Sequence, residues 1–289
     1  MIFKRINLYA QFNLKRRKGA KGFLNAYIHS SSKYYPNRIR PAVVVIAGGG
    51  YSGICERESE PVALAFFGKG YNVFTLEYSC KPFSYPTQLV EGCMSIAYIR
   101  RNADLLKVNK EHVAVVGFSA GGHLATMTAT LFDEESVKNI IRTDGFECKP
   151  NAIILGYPVI SSGEFAHIDS INNLIGGDRQ LLEKVSLENR VKENTCPAFI
   201  WGTVDDDLVP SENSLLLALA YKRNSIPFEL HMYSNGHHGL GLADIQTATP
   251  FGRVKDSTIE EYVKPEIQGW FDMALVWLNK RGFVIEDLR

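Results

Sequence analysis

The chain has 289 residues, 45% of them hydrophobic and 22% charged, and a formal net charge of +1. That is ordinary globular composition, and a core of this size needs neither disulfide nor metal for stability. A near-zero net charge excludes a long-range field that would draw the chain to nucleic acid or a membrane surface. No run approaches the ~18 apolar residues of a membrane span, and the N-terminal segment holds no apolar core of signal-peptide length. The cysteines Cys55, Cys80, Cys93, Cys148 and Cys196 are odd in number and lack metal-ligand spacing. Free thiols in a reducing cytoplasm are the simplest expectation.

Taken in chain order, residues 2–8 and 24–29 alternate like strands around a basic, glycine-containing run at 15–21. This reads as an N-terminal hairpin, about 1–30, with a solvated charged tip. Residues 42–47 form a continuous apolar, β-branched run, the pattern of a strand buried on both faces. A helix over 60–69 and a strand over 71–78 follow, then a helix over 86–102 with proline near its first turn. A strand at 112–117 leads into a helix at 119–131. Buried strands are predicted at 152–157 and 198–202, a helix at 211–224 and a strand at 228–233. The closing helix, 267–281, puts Trp270, Ala274, Trp277 and Leu278 on one face. Alternating buried strands and helices imply one α/β domain with a mostly parallel central sheet and helices on both faces. Residues 159–195 interrupt the rhythm and are too long for an ordinary loop, so they are predicted to form a small insertion over the site.

The chemistry is carried by Gly117-Phe118-Ser119-Ala120-Gly121-Gly122, which closes a strand and opens a helix. A serine hydroxyl can protrude from so tight a turn only if its neighbours lack side chains, and there it sits at a helix N-terminus that favours developing negative charge. Ser119 is therefore the expected nucleophile. It needs a base, and the chain order expected for this arrangement is serine, acid, histidine. His29 and His112 come too early, His123 lies in the elbow helix facing away from the serine, His167 lies in the insertion and His231 within a strand. His237 and His238 remain; Gly239 lets the loop at His238 approach closely, so His238 is the expected base and His237 a pocket residue. The acid belongs to Asp205-Asp206-Asp207, where at least one carboxylate is expected to cap the helix beginning near Ser211. Oxyanion donors are expected from the loop Ala47-Gly48-Gly49-Gly50-Tyr51, namely the N–H groups of Gly49 and Gly50, joined by that of Ala120. A phosphate loop is excluded there, because no lysine or hydroxyl residue follows at the required spacing.

Together IAGGGYSG, RESEPVALAF, GFSAGGHLA, YPVISSGEFAH, DDDLVP and GHHGLGLAD resemble the bacterial acetyl esterase and xylan-esterase-like branch of the α/β hydrolases, from about residue 42 to 243. The resemblance implies the α/β-hydrolase fold. Its D-x-x-V-P motif falls on Asp206 to Pro210 and so assigns Asp206 as the acid; its H-G-L-G-L-A motif begins at His238. Related lipases begin the oxyanion loop with histidine, where this chain has Ala47, so the bracing of that loop must be met otherwise. Glu58 and Glu60 are candidates to brace it or to lie near the pocket. The branch implies short-chain acyl esters, often acetylated sugars, as substrates. Tyr51, His237, Phe165 and His167 are the substrate-pocket candidates. A serine peptidase of the same fold and an inactive binding protein are the alternatives. Acyl transfer of this kind needs no cofactor or metal; a small-molecule ester is the expected partner, nucleic acid and membrane are not, and a homo-oligomer is left open.

Overall fold

A computed structural model describes residues 1–143, 145–248 and 262–287. The strands are β1 (Ile2–Asn7), β2 (Phe23–Ile28), β3 (Arg38–Ile46), β4 (Asn72–Glu77), β5 (Val108–Phe118), β6 (Ala152–Gly156), β7 (Ala198–Thr203), β8 (Phe228–Tyr233) and β9 (Glu286–Asp287). The first eight lie side by side in the order β1-β2-β4-β3-β5-β6-β7-β8, and β9 pairs with the start of β3. β1, β2 and β4 pair antiparallel; from β4 through β8 every pairing is parallel. This is the mostly parallel sheet that the strand–helix alternation implied, in the α/β-hydrolase fold that the resemblance implied.

The burial of alternate residues explains the layering. In β3, Ala42, Val44 and Ile46 pack into one core, while Val43 and Val45 pack into another. Successive strand side chains point to opposite faces, so these are the two sides of one sheet. The helices Thr87–Arg101, Ala120–Thr130 and Glu212–Arg223 contribute to the first core; Glu60–Gly68 and Trp270–Asn279 contribute to the second. The closing helix is broken at Gly269, which separates a short turn, Pro265–Gln268, from Trp270–Asn279. Its predicted apolar face is nevertheless the buried one, with Trp270, Ala274, Trp277 and Leu278 all inside. β5 runs longer than the apolar pattern suggested, because its polar start pairs with β3 through Arg40 and Val108.

The sheet's topology fixes where a site can form. From β3 the chain passes to β4 on one side, then returns to β5 on the other. Where the direction of winding reverses, the loops leaving the carboxyl ends of two adjacent strands diverge and leave a crevice. Here those loops are the glycine run after Ile46 and the turn at Ser119 after Phe118. The contact between them is backbone on backbone. A Cβ at Gly121 would lie 2.1 Å from the carbonyl oxygen of Ile46 and 2.5 Å from that of Ala47. Gly121→Ala must therefore push the elbow helix off β3. We expect it to lower unfolding free energy by about 3 kcal/mol or to prevent folding; a urea midpoint equal to that of the parent chain would contradict this packing.

Candidate active site

Ser119 adopts φ 52° and ψ −122°, a backbone conformation that L-residues rarely adopt. The surroundings hold it there. Its N–H donates to the carbonyl of Gly156 at 3.0 Å, and its own carbonyl accepts from Val159 at 3.0 Å and His123 at 3.1 Å. Gly117 is required as well, since a Cβ there would meet the Gly121 carbonyl oxygen at 2.4 Å. The strained turn aims the hydroxyl out of the sheet's end rather than along the helix.

The loops after β7 and β8 supply the partners. His238 Nε2 lies 2.8 Å from Ser119 Oγ, and His238 Nδ1 lies 2.8 Å from Asp206 Oδ2. A carboxylate only accepts, so Nδ1 carries the proton and Nε2 is left to accept from the serine hydroxyl. Both side chains are nearly enclosed, at 8% exposure for His238 and 2% for Asp206. Tyr157 packs its ring edge-on against the imidazole, 4.9 Å between centroids, and limits the ring's rotation.

The three consecutive aspartates divide the work. Asp206 Oδ1 accepts from the N–H groups of Leu208 and Val209 at 2.9 and 2.8 Å, which fixes its carboxylate while Oδ2 faces His238. Asp207 accepts from the backbone N–H of His238 at 2.9 Å. Asp205 accepts from Gly236 N–H at 2.7 Å and from the Asn235 amide at 3.0 Å, and the Asn235 bond holds its carboxyl below the usual range. The expectation that one of them caps the following helix does not hold. The N-cap residue Ser211 receives no side-chain cap, because all three carboxylates are committed to the histidine loop and to their own turn.

The glycine loop lies directly against the serine: a Cβ at Gly48 would come within 2.8 Å of Ser119 Cβ. Gly49 and Gly50 have φ of +125° and +61°, which turns their amides away from the loop's internal hydrogen bonds. Among the described residues those two N–H groups meet no protein acceptor. Ala120 is the first residue of its helix, so its N–H has no intrahelical acceptor either. The bracing that a histidine would give comes from Glu58. Its buried carboxylate accepts from Gly48 N–H and from the Tyr157 hydroxyl, both at 2.8 Å, and Tyr157 in turn accepts from Gly241 N–H at 2.8 Å. Glu60 does not join this brace; it reaches the hydroxyl of Tyr27 at 3.4 Å.

The pocket candidates separate. A cavity of about 550 Å³ opens beside Ser119 and His238, and Gly49, Gly50, His167, Asp169, Asn173 and Lys81 are among its lining residues. Three of the sequence candidates do not line it. Tyr51 is fully buried and its hydroxyl bonds His123 Nδ1 at 2.9 Å. His237 packs on the buried ring of Tyr262, 5.6 Å between centroids, and stays outside the lining. Phe165 lies outside the lining, and its carbonyl accepts from Asn213. Within 159–195, the helix Ile168–Ile175 buries Ile171, Leu174 and Ile175 and turns Asp169 and Asn173 to the cavity. Asn173 also donates to the Gly50 carbonyl at 2.9 Å, fastening the insertion to the glycine loop. Sequence reasoning missed the role of Tyr157; the only trace of it was an aromatic residue closing a predicted buried strand, which in the fold ends one residue earlier.

His123 connects the same parts from beneath. Nε2 donates to the Val185 carbonyl at 2.8 Å, which leaves Nδ1 to accept from Tyr51. It is fully buried, and that burial lowers its pKa to about 4.

A serine on a strand-to-helix turn at the cavity wall, a histidine and an aspartate on later strand-end loops, and free amides beside them, all on this sheet, define an α/β hydrolase. The chain belongs to the BD-FAE family, whose model matches residues 28–221. It is 35% identical over 240 residues to endo-1,4-beta-xylanase B of Butyrivibrio fibrisolvens, covering 81% of this chain and 37% of that protein. It is 30% identical over 209 residues to the acetylxylan esterase of Xylanibacter ruminicola, covering 70% of this chain and 41% of that one. The chain thus spans about two fifths of the length of these curated relatives. Among solved structures it resembles the acetyl ester-xyloside bifunctional hydrolase of Caldicellulosiruptor lactoaceticus, with a TM-score of 0.81 at 34% identity over 97% of each chain.

Two stability predictions arise from these networks. Glu58→Ala strands the buried Gly48 N–H and Tyr157 hydroxyl, at about 1–3 kcal/mol each; Glu58→Gln keeps one acceptor and should lose less. Equal denaturant midpoints for parent and Glu58→Ala would remove Glu58 from the brace. For His123 the folded pKa of about 4 lies below the ordinary 6.5, so the unfolded chain binds more protons between those values. Its contribution is then complete above pH 6.5 and lost as pH falls toward 4, by about 3 kcal/mol in all. His123→Gln should flatten the fall in stability over that window; an unchanged slope would contradict the assignment.

Proposed function

We propose that the chain is a serine carboxylic-ester hydrolase that removes short acyl groups, acetyl above all, from the hydroxyls of acylated sugars. The observation that carries this reading is the continuous 2.8 Å contact from Ser119 Oγ to His238 and on to Asp206, facing uncommitted amides. In this reading His238 Nε2 takes the serine proton as Oγ attacks the acyl carbonyl. The N–H groups of Gly49, Gly50 and Ala120 hold the oxygen as it becomes negative. His238 then protonates the departing alcohol, and water releases the acyl group by the same steps in reverse order. Asp206 keeps Nδ1 protonated and stabilises the imidazolium.

The choice of substrate rests on the cavity wall and on the relatives. The insertion helix buries its apolar face and offers His167, Asp169 and Asn173 to the cavity, a surface suited to hydroxyl groups. The acetylxylan esterase and the acetyl ester-xyloside hydrolase named above point the same way.

Ser119→Ala should reduce acetyl-ester turnover by about 10³-fold or more without unfolding the chain, and His238→Ala should do similar damage because the groups act as a unit. His237→Ala should cost far less, and Asp206→Asn should be the most harmful of the three aspartate substitutions. Near-parental turnover of 4-nitrophenyl acetate by Ser119→Ala would end this reading. Across an acyl series kcat/KM should fall from acetyl to butyryl to octanoyl, in steps of ~1–3 kcal/mol per methylene at most; an octanoyl optimum would point instead to lipids.

A further inference from the structure

The cavity beside Ser119 continues beyond the glycine loop. It shares Ser52, Gly53, Ile54, Cys55, Arg57 and Lys81 with a second cavity of about 1240 Å³. The second cavity runs from that common wall to the N-terminal hairpin, where Lys18, Gly19 and Lys21 line it. The basic run that sequence alone left as a solvated tip therefore lies at the far end of a groove that begins at the nucleophile.

The run divides into two kinds of side chain. Arg16 and Arg17 stack over Phe23 and Phe83 at 5.1 and 5.2 Å, and Arg16 also donates to the Ala20 carbonyl, so the arginines fasten the tip. Lys18, Lys21 and Lys81 make no ion pair among the described residues, and all three face the cavity. The carboxylates that line it are mostly engaged. Glu77 pairs with Arg5 at 2.6 Å and accepts from Asn25 at 2.9 Å, and Glu60 accepts from Tyr27 at 3.4 Å. Glu77 is neutralised by Arg5, which leaves the exposed carboxylates of Glu56 and Glu60 against three ammonium groups. The volume exceeds the few hundred to ~1,000 Å³ of an ordinary small-ligand pocket, and an acetyl group needs almost none of it.

We propose that the second cavity is a subsite for the alcohol portion of the ester and takes a saccharide chain bearing an anionic substituent, a uronic-acid carboxylate. This rests on the ester-hydrolase reading above. The acyl group sits at Ser119, the sugar chain crosses the wall at Gly53, Ile54 and Lys81, and its carboxylate lies at the hairpin end beside Lys18 and Lys21. Point-charge lysines at a solvent-exposed rim attract an anion without demanding one geometry, and the attraction is screened by salt.

The test compares acetate release from two acetylated xylo-oligosaccharides, one neutral and one carrying a glucuronic-acid branch, at low and high salt. The parent chain should favour the acidic substrate by about tenfold in kcat/KM at low salt, roughly threefold or less per lysine. High salt, and the double variant Lys18→Gln/Lys21→Gln, should each bring the ratio toward one. An acetylated sugar phosphate favoured in place of the uronate would support the anionic subsite and assign phosphate as its source. Equal kcat/KM for neutral and acidic substrates, or a ratio that survives the lysine substitutions, overturns the subsite. Acetate release from neither saccharide overturns the subsite, and failure to turn over 4-nitrophenyl acetate as well overturns the hydrolase reading with it.

Discussion

The site depends first on a backbone contact. Gly121 lies so close to the carbonyls of Ile46 and Ala47 that no side chain fits between them. The end of β3 and the start of the elbow helix therefore move as one body. Because the glycine loop leaves β3 at that point and Ser119 opens that helix, the amides and the hydroxyl keep a fixed relation. The unusual backbone of Ser119 is tolerated for the same reason: the carbonyls of Gly156 and Ser119 are both engaged, so relaxation of the turn would break bonds on two neighbouring segments.

Polar groups buried around this contact must be satisfied within the protein, and that requirement ties distant loops together. Glu58 joins the glycine loop to Tyr157, and Tyr157 joins the loop that carries His238. His123 joins Tyr51, next to the glycine loop, to Val185 in the insertion. Asp207 holds the backbone of His238 while Asp206 holds its ring. Each element that faces the cavity is thus held by a hydrogen bond from a different part of the chain. A precise arrangement on loops is possible because the loops are braced from behind.

The polar character of the cavity follows from how the insertion spends its apolar residues. Ile171, Leu174 and Ile175 are needed to dock a helix of only eight residues, which leaves its remaining face, with Asp169 and Asn173, toward the serine. A longer apolar helix could have lined the cavity instead. The same economy holds at the hairpin, where the arginines stack on phenylalanine and the lysines are left to the groove.

Local chemistry made much of this legible in the sequence. Apolar β-branched runs marked the doubly buried strands, and glycines around Ser119 marked a turn that no other residue could make. Gly239 after His238 singled out the imidazole that reaches the serine. What the sequence could not decide was how equivalent residues share roles. The motif match singled out Asp206 for the imidazole, but the parts of its neighbours, Asp207 on the His238 backbone and Asp205 on Gly236, appear only in the fold. Tyr51 looked like a pocket residue, yet its φ of 56° sends its ring into the core toward His123. Glu58 and Glu60 were equal candidates for the loop's brace until the fold set Glu58 between Gly48 N–H and the hydroxyl of Tyr157, 99 residues away. Periodicity and turn chemistry act between near neighbours and can be read along the chain; hydrogen bonds among buried groups depend on which segments the fold brings together, so only the tertiary structure decided them.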